Sequence, residues 1–181
     1  METSTGLTEF TLSADAMASM EKACGSSRCE GTLGSFEVCL HRPALWGKIW
    51  AYIYEEDCPP TNIIRADKNW GVKICWEIYG NLVPFICGNW CLHLDFESIG
   101  EGPEFDLPLG GKEIKIPLNP CKCHYEYDFK VPKGTIKPEH CSSPYKVVAT
   151  VTYLTSCRDE PGPMAGFVEF PVIQFYKANH D

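Results

Sequence analysis

Apolar and polar residues alternate along most of this chain with the period of a strand. Phe36, Val38 and Leu40 alternate with Glu37, Cys39 and His41 until Pro43 ends the run. Over 47–55, Ile49, Ala51 and Ile53 point one way, and Lys48, Trp50, Tyr52 and Tyr54 the other. Val72, Ile74, Trp76 and Ile78 alternate with Lys73, Cys75, Glu77 and Tyr79. Trp90, Leu92, Leu94 and Phe96 alternate with Cys91, His93, Asp95 and Glu97. Two shorter runs, Phe105/Leu107/Leu109 and Ile114/Ile116/Leu118, flank Gly110 and Gly111. The clearest run sets Cys121, Cys123, Tyr125, Tyr127, Phe129 and Val131 against Lys122, His124, Glu126, Asp128 and Lys130. Tyr145, Val147, Ala149, Val151 and Tyr153 precede a last strand over 166–176, where Pro171 signals an edge or a bulge.

A period of two gives each strand one apolar and one wet face, the signature of antiparallel sheets. Fifteen glycines and fourteen prolines punctuate the runs, and no long helical period competes with them. The expectation is an all-β protein of seven to nine strands, with two antiparallel sheets packed face to face. It occupies residues 34–181. Residues 1–33 are small and polar, with Phe10 as their only aromatic. They predict an N-terminal arm, loose or docked, with one short helix over 14–24 capped by Ser13 and ended by Gly25. Leu7, Phe10 and Leu12 of the arm could add as a strand to an open sheet edge.

Trp76 and Trp90 point inward on consecutive strands, and Ser143-Pro144-Tyr145-Lys146-Val147 sets a tyrosine at the start of the penultimate strand. With this strand order the chain resembles the immunoglobulin-like or fibronectin-III-like β-sandwiches. The resemblance implies structural roles for Trp76, Trp90 and Tyr145, the last as a tyrosine corner. Val147 stands where an antibody domain has its second cysteine, and Cys75 has outward parity, so the inter-sheet disulfide is absent. Such a likeness concerns the fold and assigns no activity.

Twenty-four acidic against sixteen basic residues give a net charge of −8. With no Lys/Arg cluster, a phosphate backbone is not an expected partner. No apolar run is long enough for a membrane-spanning helix. The eleven cysteines are odd in number, and the first residues lack the basic and apolar regions of a secretory signal. The expectation is therefore mostly free thiols and a cytoplasmic location, with non-classical secretion as the other route.

Chemistry is sparse. Cys91, His93, Asp95 and Glu97 share a strand face and form a weak metal or Cys–His candidate; a plainly solvated face is the competing reading. Cys39 and His41 have the same spacing and could complete a four-ligand zinc site only on an adjacent strand. Cys121 and Cys123 read as buried core thiols, since His124 points the opposite way. The acidic stretch Asp95, Glu97, Glu101, Glu104 and Asp106 surrounds Gly100 and Gly102 and could collect calcium, but its spacing matches no EF-hand loop, and solvated acids beside a turn are the competing reading. Trp46, Trp50, Tyr52 and Tyr54 form an aromatic ridge suited to a protein partner or a sugar ring, unless the chain itself covers it. No phosphate loop, nucleophile elbow or zinc-protease motif occurs, and no cofactor is implied. The leading reading is a non-enzymatic recognition or assembly module acting through protein contacts or self-association. A carbohydrate-binding sandwich is the alternative, and a zinc- or thiol-dependent protein comes third.

Overall fold

A computed structural model describes residues 13–15, 18–19, 30–41, 43–100, 102–138 and 142–178. Among these the alternating runs become twelve strands: β1 (Thr32–Leu33), β2 (Ser35–Val38), β3 (Trp46–Glu55), β4 (Ile63–Arg65), β5 (Trp70–Tyr79), β6 (Gly88–Ser98), β7 (Phe105–Leu107), β8 (Ile114–Pro117), β9 (His124–Val131), β10 (Ser142–Thr155), β11 (Pro161–Glu169) and β12 (Ile173–Tyr176). The first sheet is antiparallel in the order β1-β3-β5-β9. The second is built around β10. β6 runs along one side of β10, while β11 and β12 lie end to end along the other. β8 and β7 share the outer edge of β6, and β2 and β4 extend β11 and β12. Only the β12–β4 pair is parallel among the described strands.

The sheets pack because each turns its apolar parity inward. Ile49, Val72, Ile74, Trp76 and Ile78 of the first meet Trp90, Leu94, Val147, Ala149, Val151 and Phe175 of the second, all at 0% exposure. Each large aliphatic side chain so buried contributes roughly 1.5–3 kcal/mol, before the entropy of ordering is subtracted. Aromatic rings fill the two ends of the layer. At one end Trp76 meets Trp90 edge to face at 6.0 Å and stacks on Tyr125 at 5.5 Å. At the other, Trp70 packs on Phe175 at 5.0 Å and Phe96 stacks on Phe105 at 4.4 Å. Tyr145 joins this second cluster, and its hydroxyl donates to the Pro103 carbonyl at 3.0 Å, tying β10 to the loop after β6.

The strand count exceeds the seven to nine expected, for three local reasons. The run over 166–176 is two strands, because the backbone leaves the ladder around Pro171, which has no N–H to donate, and returns lower on the same neighbour. The connection between β3 and β5 contains β4, three residues too few to show a period. β1 begins at Thr32, within the segment assigned to the arm. In the expected arm helix, residues 14–15 and 18–19 are helical; the rest of 14–24, and the proposed strand of Leu7, Phe10 and Leu12, lie outside the described residues.

Two cysteine expectations need correction. Cys121 and Cys123 are not core thiols, because β9 begins only at His124 and the preceding residues form a turn. Cys121 is exposed, and Cys123 is half-buried and disulfide-bonded. Cys75 does lie on the outer face but is buried there, at 4% exposure. No helix among the described residues is long and apolar enough to cross a membrane.

Two measurements follow from this core. Trp90→Ala is expected to lower folding stability by about 3–5 kcal/mol, seen as a reduced denaturant midpoint, because the cavity would open at the junction of both sheets. Alkylation under denaturing, non-reducing conditions is expected to label Cys39, Cys58, Cys75, Cys87, Cys91, Cys121 and Cys157 and to leave Cys123 in a cross-linked peptide.

Candidate functional site

The outer face of the first sheet carries the aromatic ridge, and strand register decides what surrounds it. Pairing sets Trp50 beside Cys75, Tyr52 beside Lys73 and Tyr54 beside Gly71. The next strand continues these rows with Glu126, Asp128 and Lys130. Trp50, Tyr52 and Tyr54 are each half-buried. Tyr52 and Tyr54 pack with ring centroids 5.9 Å apart. Trp46 leaves the expected ridge. It is buried at 4% exposure and stacked on Tyr79, its register partner, at 5.7 Å.

Tyr54 is the pivot of this face. A Cβ on Gly71 would come within 2.6 Å of the Tyr54 hydroxyl oxygen and 2.8 Å of the Phe129 carbonyl oxygen. A glycine there lets the phenol lie across β5 and donate to Asp128 Oδ1 on β9 at 2.6 Å. One side chain therefore spans three strands. Burial, and then the hydrogen bond to Asp128, push the Tyr54 phenol well above the ordinary tyrosine range. Burial also raises Tyr52. Lys73 and Glu126 pair at 3.0 Å, and their hydrogen bond raises the lysine and lowers the carboxyl.

Beyond Tyr54 the face opens into a groove of about 570 Å³, whose polar lining includes Glu56, Asn69, Asp128 and Lys130. Asn69 Nδ2 donates to Glu56 Oε2 at 2.8 Å, and Asn69 Oδ1 accepts from the Lys133 backbone N–H at 3.0 Å. A second depression of about 500 Å³ adjoins it through Glu56, Asp57 and Asn69. Buried Glu55 anchors the loop that supplies these groups. Its Oε1 accepts from the Arg65 N–H at 2.6 Å, and Lys68 lies 3.6 Å from Oε2. The groove thus sets carboxylates, an amide and a lysine beside an aromatic ring.

Cys91, His93, Asp95 and Glu97 lie on the opposite side of the molecule, on the outer face of β6. His93 Nε2 is 3.0 Å from Asp95 Oδ1. Glu97 pairs in register with Lys146, and Cys91 with Lys115; burial raises the Cys91 thiol. Cys39 lies past the end of β2, which β11 and β10 separate from β6, so the four-ligand zinc site does not assemble. Of the acidic stretch, Asp95 and Asp106 stand directly opposite each other on β6 and β7. Trp76, Trp90 and Tyr145 are in the core at 0% exposure.

Asp128, Asn69, Glu56 and Gly71 were not singled out in the sequence. Asp128 carried a signal, as an outward residue on the longest alternating run, but only the order β3-β5-β9 brings it to Tyr54. Asn69 and Glu56 sit in a loop without periodicity.

No family model matches the chain, and no curated protein matches it. Among solved structures it is similar to the crystal structure of the C-terminal domain of wzt, at 10% identity and a TM-score of 0.46, over 78% of this chain and 82% of that one.

The raised phenol gives a pH prediction. Tyrosine in the unfolded chain ionises near pH 10, whereas folded Tyr54 keeps its proton to higher pH. The stabilisation from this group is therefore complete below about pH 10 and is lost as pH rises toward the folded value. Tyr54→Phe is expected to flatten the alkaline fall in stability, measured by denaturant midpoints across that range.

Proposed function

We propose that this chain is a non-enzymatic recognition domain that binds a carbohydrate in the groove beside Tyr54. The carrying observation is the Tyr54–Asp128 hydrogen bond, which fixes an aromatic ring at the lip of a groove already lined with Asn69 and Glu56. A sugar ring offers an apolar C–H face to an aromatic surface and vicinal hydroxyls to carboxylates and amides. The existing hydrogen bonds hold these acceptors in place, so little side-chain entropy is lost on binding. The acid-rich lining suits a neutral or amino sugar better than an acidic one, which would face like charge.

The strand connections support an immunoglobulin-like reading of the sandwich. β3, β5 and β9 take the places of strands A, B and E, and β6, β10 and β11 those of C, F and G. β5 to β6 and β9 to β10 then cross between sheets as that topology requires. That seven of the eight described cysteines are outside any disulfide supports a mainly reducing compartment.

A protein partner is the second reading. It is favoured by Leu33 of β1, which is 65% exposed directly opposite Trp50 and extends the aromatic surface toward the sheet edge. A glycan array combined with light scattering separates the two. The carbohydrate reading expects saccharide binding that Asp128→Asn and Tyr54→Ala weaken at least tenfold, about 1.4 kcal/mol. The protein reading expects no glycan signal, and self-association or pull-down that Trp50→Ala with Tyr52→Ala reduces more than it lowers the folding midpoint. Failure of both removes this face as a binding surface.

A further inference from the structure

The outer face of the second sheet holds a group of side chains that carbohydrate recognition does not use. His93 and Asp95 alternate on β6, and β7 places Asp106 directly across from Asp95. His93 Nε2 lies 3.0 Å from Asp95 Oδ1, and one donor atom from each of the three residues lies within 4.8 Å of the others. All three donors stand on paired strands, so the backbone hydrogen-bond ladder fixes their Cβ positions.

The local charge is unbalanced. Like charges directly opposite on a sheet destabilise it, and among the described residues the Asp106 carboxylate makes neither a side-chain hydrogen bond nor an ion pair. The concavity beside the pair, about 350 Å³, adds Glu97 and Glu104. Its lysine, Lys146, pairs with Glu169 at 3.3 Å. The imidazole is the partner of Asp95, and no Lys or Arg among the described residues pairs with Asp106.

We propose that His93, Asp95 and Asp106 form a binding site for a divalent first-row transition-metal ion of the zinc type. An imidazole nitrogen with two carboxylate oxygens is a donor set that zinc and cobalt accept, whereas magnesium and calcium favour oxygen alone. Metal–ligand bonds of about 2.0–2.2 Å hold tetrahedral neighbours roughly 3.3–3.5 Å apart. His93 and Asp95, 3.0 Å apart, need to separate by only a few tenths of an ångström, and rotation of exposed Asp106 brings in the third donor. Three protein ligands leave the remaining position to water or to a donor from outside the chain.

Cobalt(II) titration of the chelator-treated full chain tests the site, because its spectrum separates nitrogen and oxygen ligands from the protein's free thiols. About one ion per chain is expected, with visible d–d absorption and no near-ultraviolet thiolate charge-transfer band. Asp106→Asn and His93→Gln are each expected to weaken binding roughly tenfold or more, as loss of a group that holds a metal in place does. Glu97→Gln, in the same concavity but outside the triad, is expected to weaken binding less than either triad variant does. Zinc added to the unmutated chain is expected to shift the His93 imidazole resonances in NMR, which needs no variant to fold. Absence of uptake, a thiolate band, unshifted His93 resonances, or unmutated affinity retained in either triad variant overturns the proposal.

Discussion

Trp76 and Trp90 meet edge to face between the sheets, and the rest of the sandwich is arranged around that contact. Each ring comes from a long strand in a different layer, so their fit bears on both sheet spacing and the alignment of β5 with β6. Tyr125 stacks on Trp76 while its hydroxyl is held by the carbonyls of Asn119 and Lys122 and accepts from the Asn119 N–H. That network locks the start of β9, and the position of β9 decides where Asp128 stands. The core contact is thereby linked, through one strand, to the hydrogen bond that fixes Tyr54.

Much of this was legible in the sequence because sheets write their faces into alternate positions. The inward sets of β3, β5, β6, β9 and β10 follow the parity of Ile49, Trp76, Trp90, Tyr125 and Val147 directly. The errors occur where alternation carries no weight. Cys121 and Cys123 extended a true pattern beyond the end of the strand, and Trp46 has outward parity yet is covered. β4 is held by neighbours rather than by composition. The candidate site was half visible: Tyr52 and Tyr54 belong to a run, but Asp128, Asn69 and Glu56 join them only through pairing and a loop fold. Asp106 shows the same limit, since nothing in its local sequence states that it faces Asp95.

The two outer faces differ in physical character. On the first sheet, polar groups are matched across strands, Lys73 with Glu126 as an ion pair and His124 with Glu77 by a hydrogen bond at 3.4 Å, and aromatic surface lies between them. That face is organised to present shape. On the second sheet Asp95 and Asp106 face each other, with Glu97 and Glu104 beside them. That face is organised by field, and its acids account for part of the chain's negative charge.

β4 belongs by sequence to the connection between two strands of the first sheet, yet it hydrogen-bonds to β12 of the second. The Ala66 N–H reaches the Tyr176 carbonyl at 2.9 Å, and the Gly134 N–H returns to the Ala66 carbonyl at 2.8 Å. The segment that carries Glu56, Asp57 and Asn69 is therefore stitched to both layers. Sliding one sheet over the other would strain this seam, so the groove lies where shear between the layers would be felt.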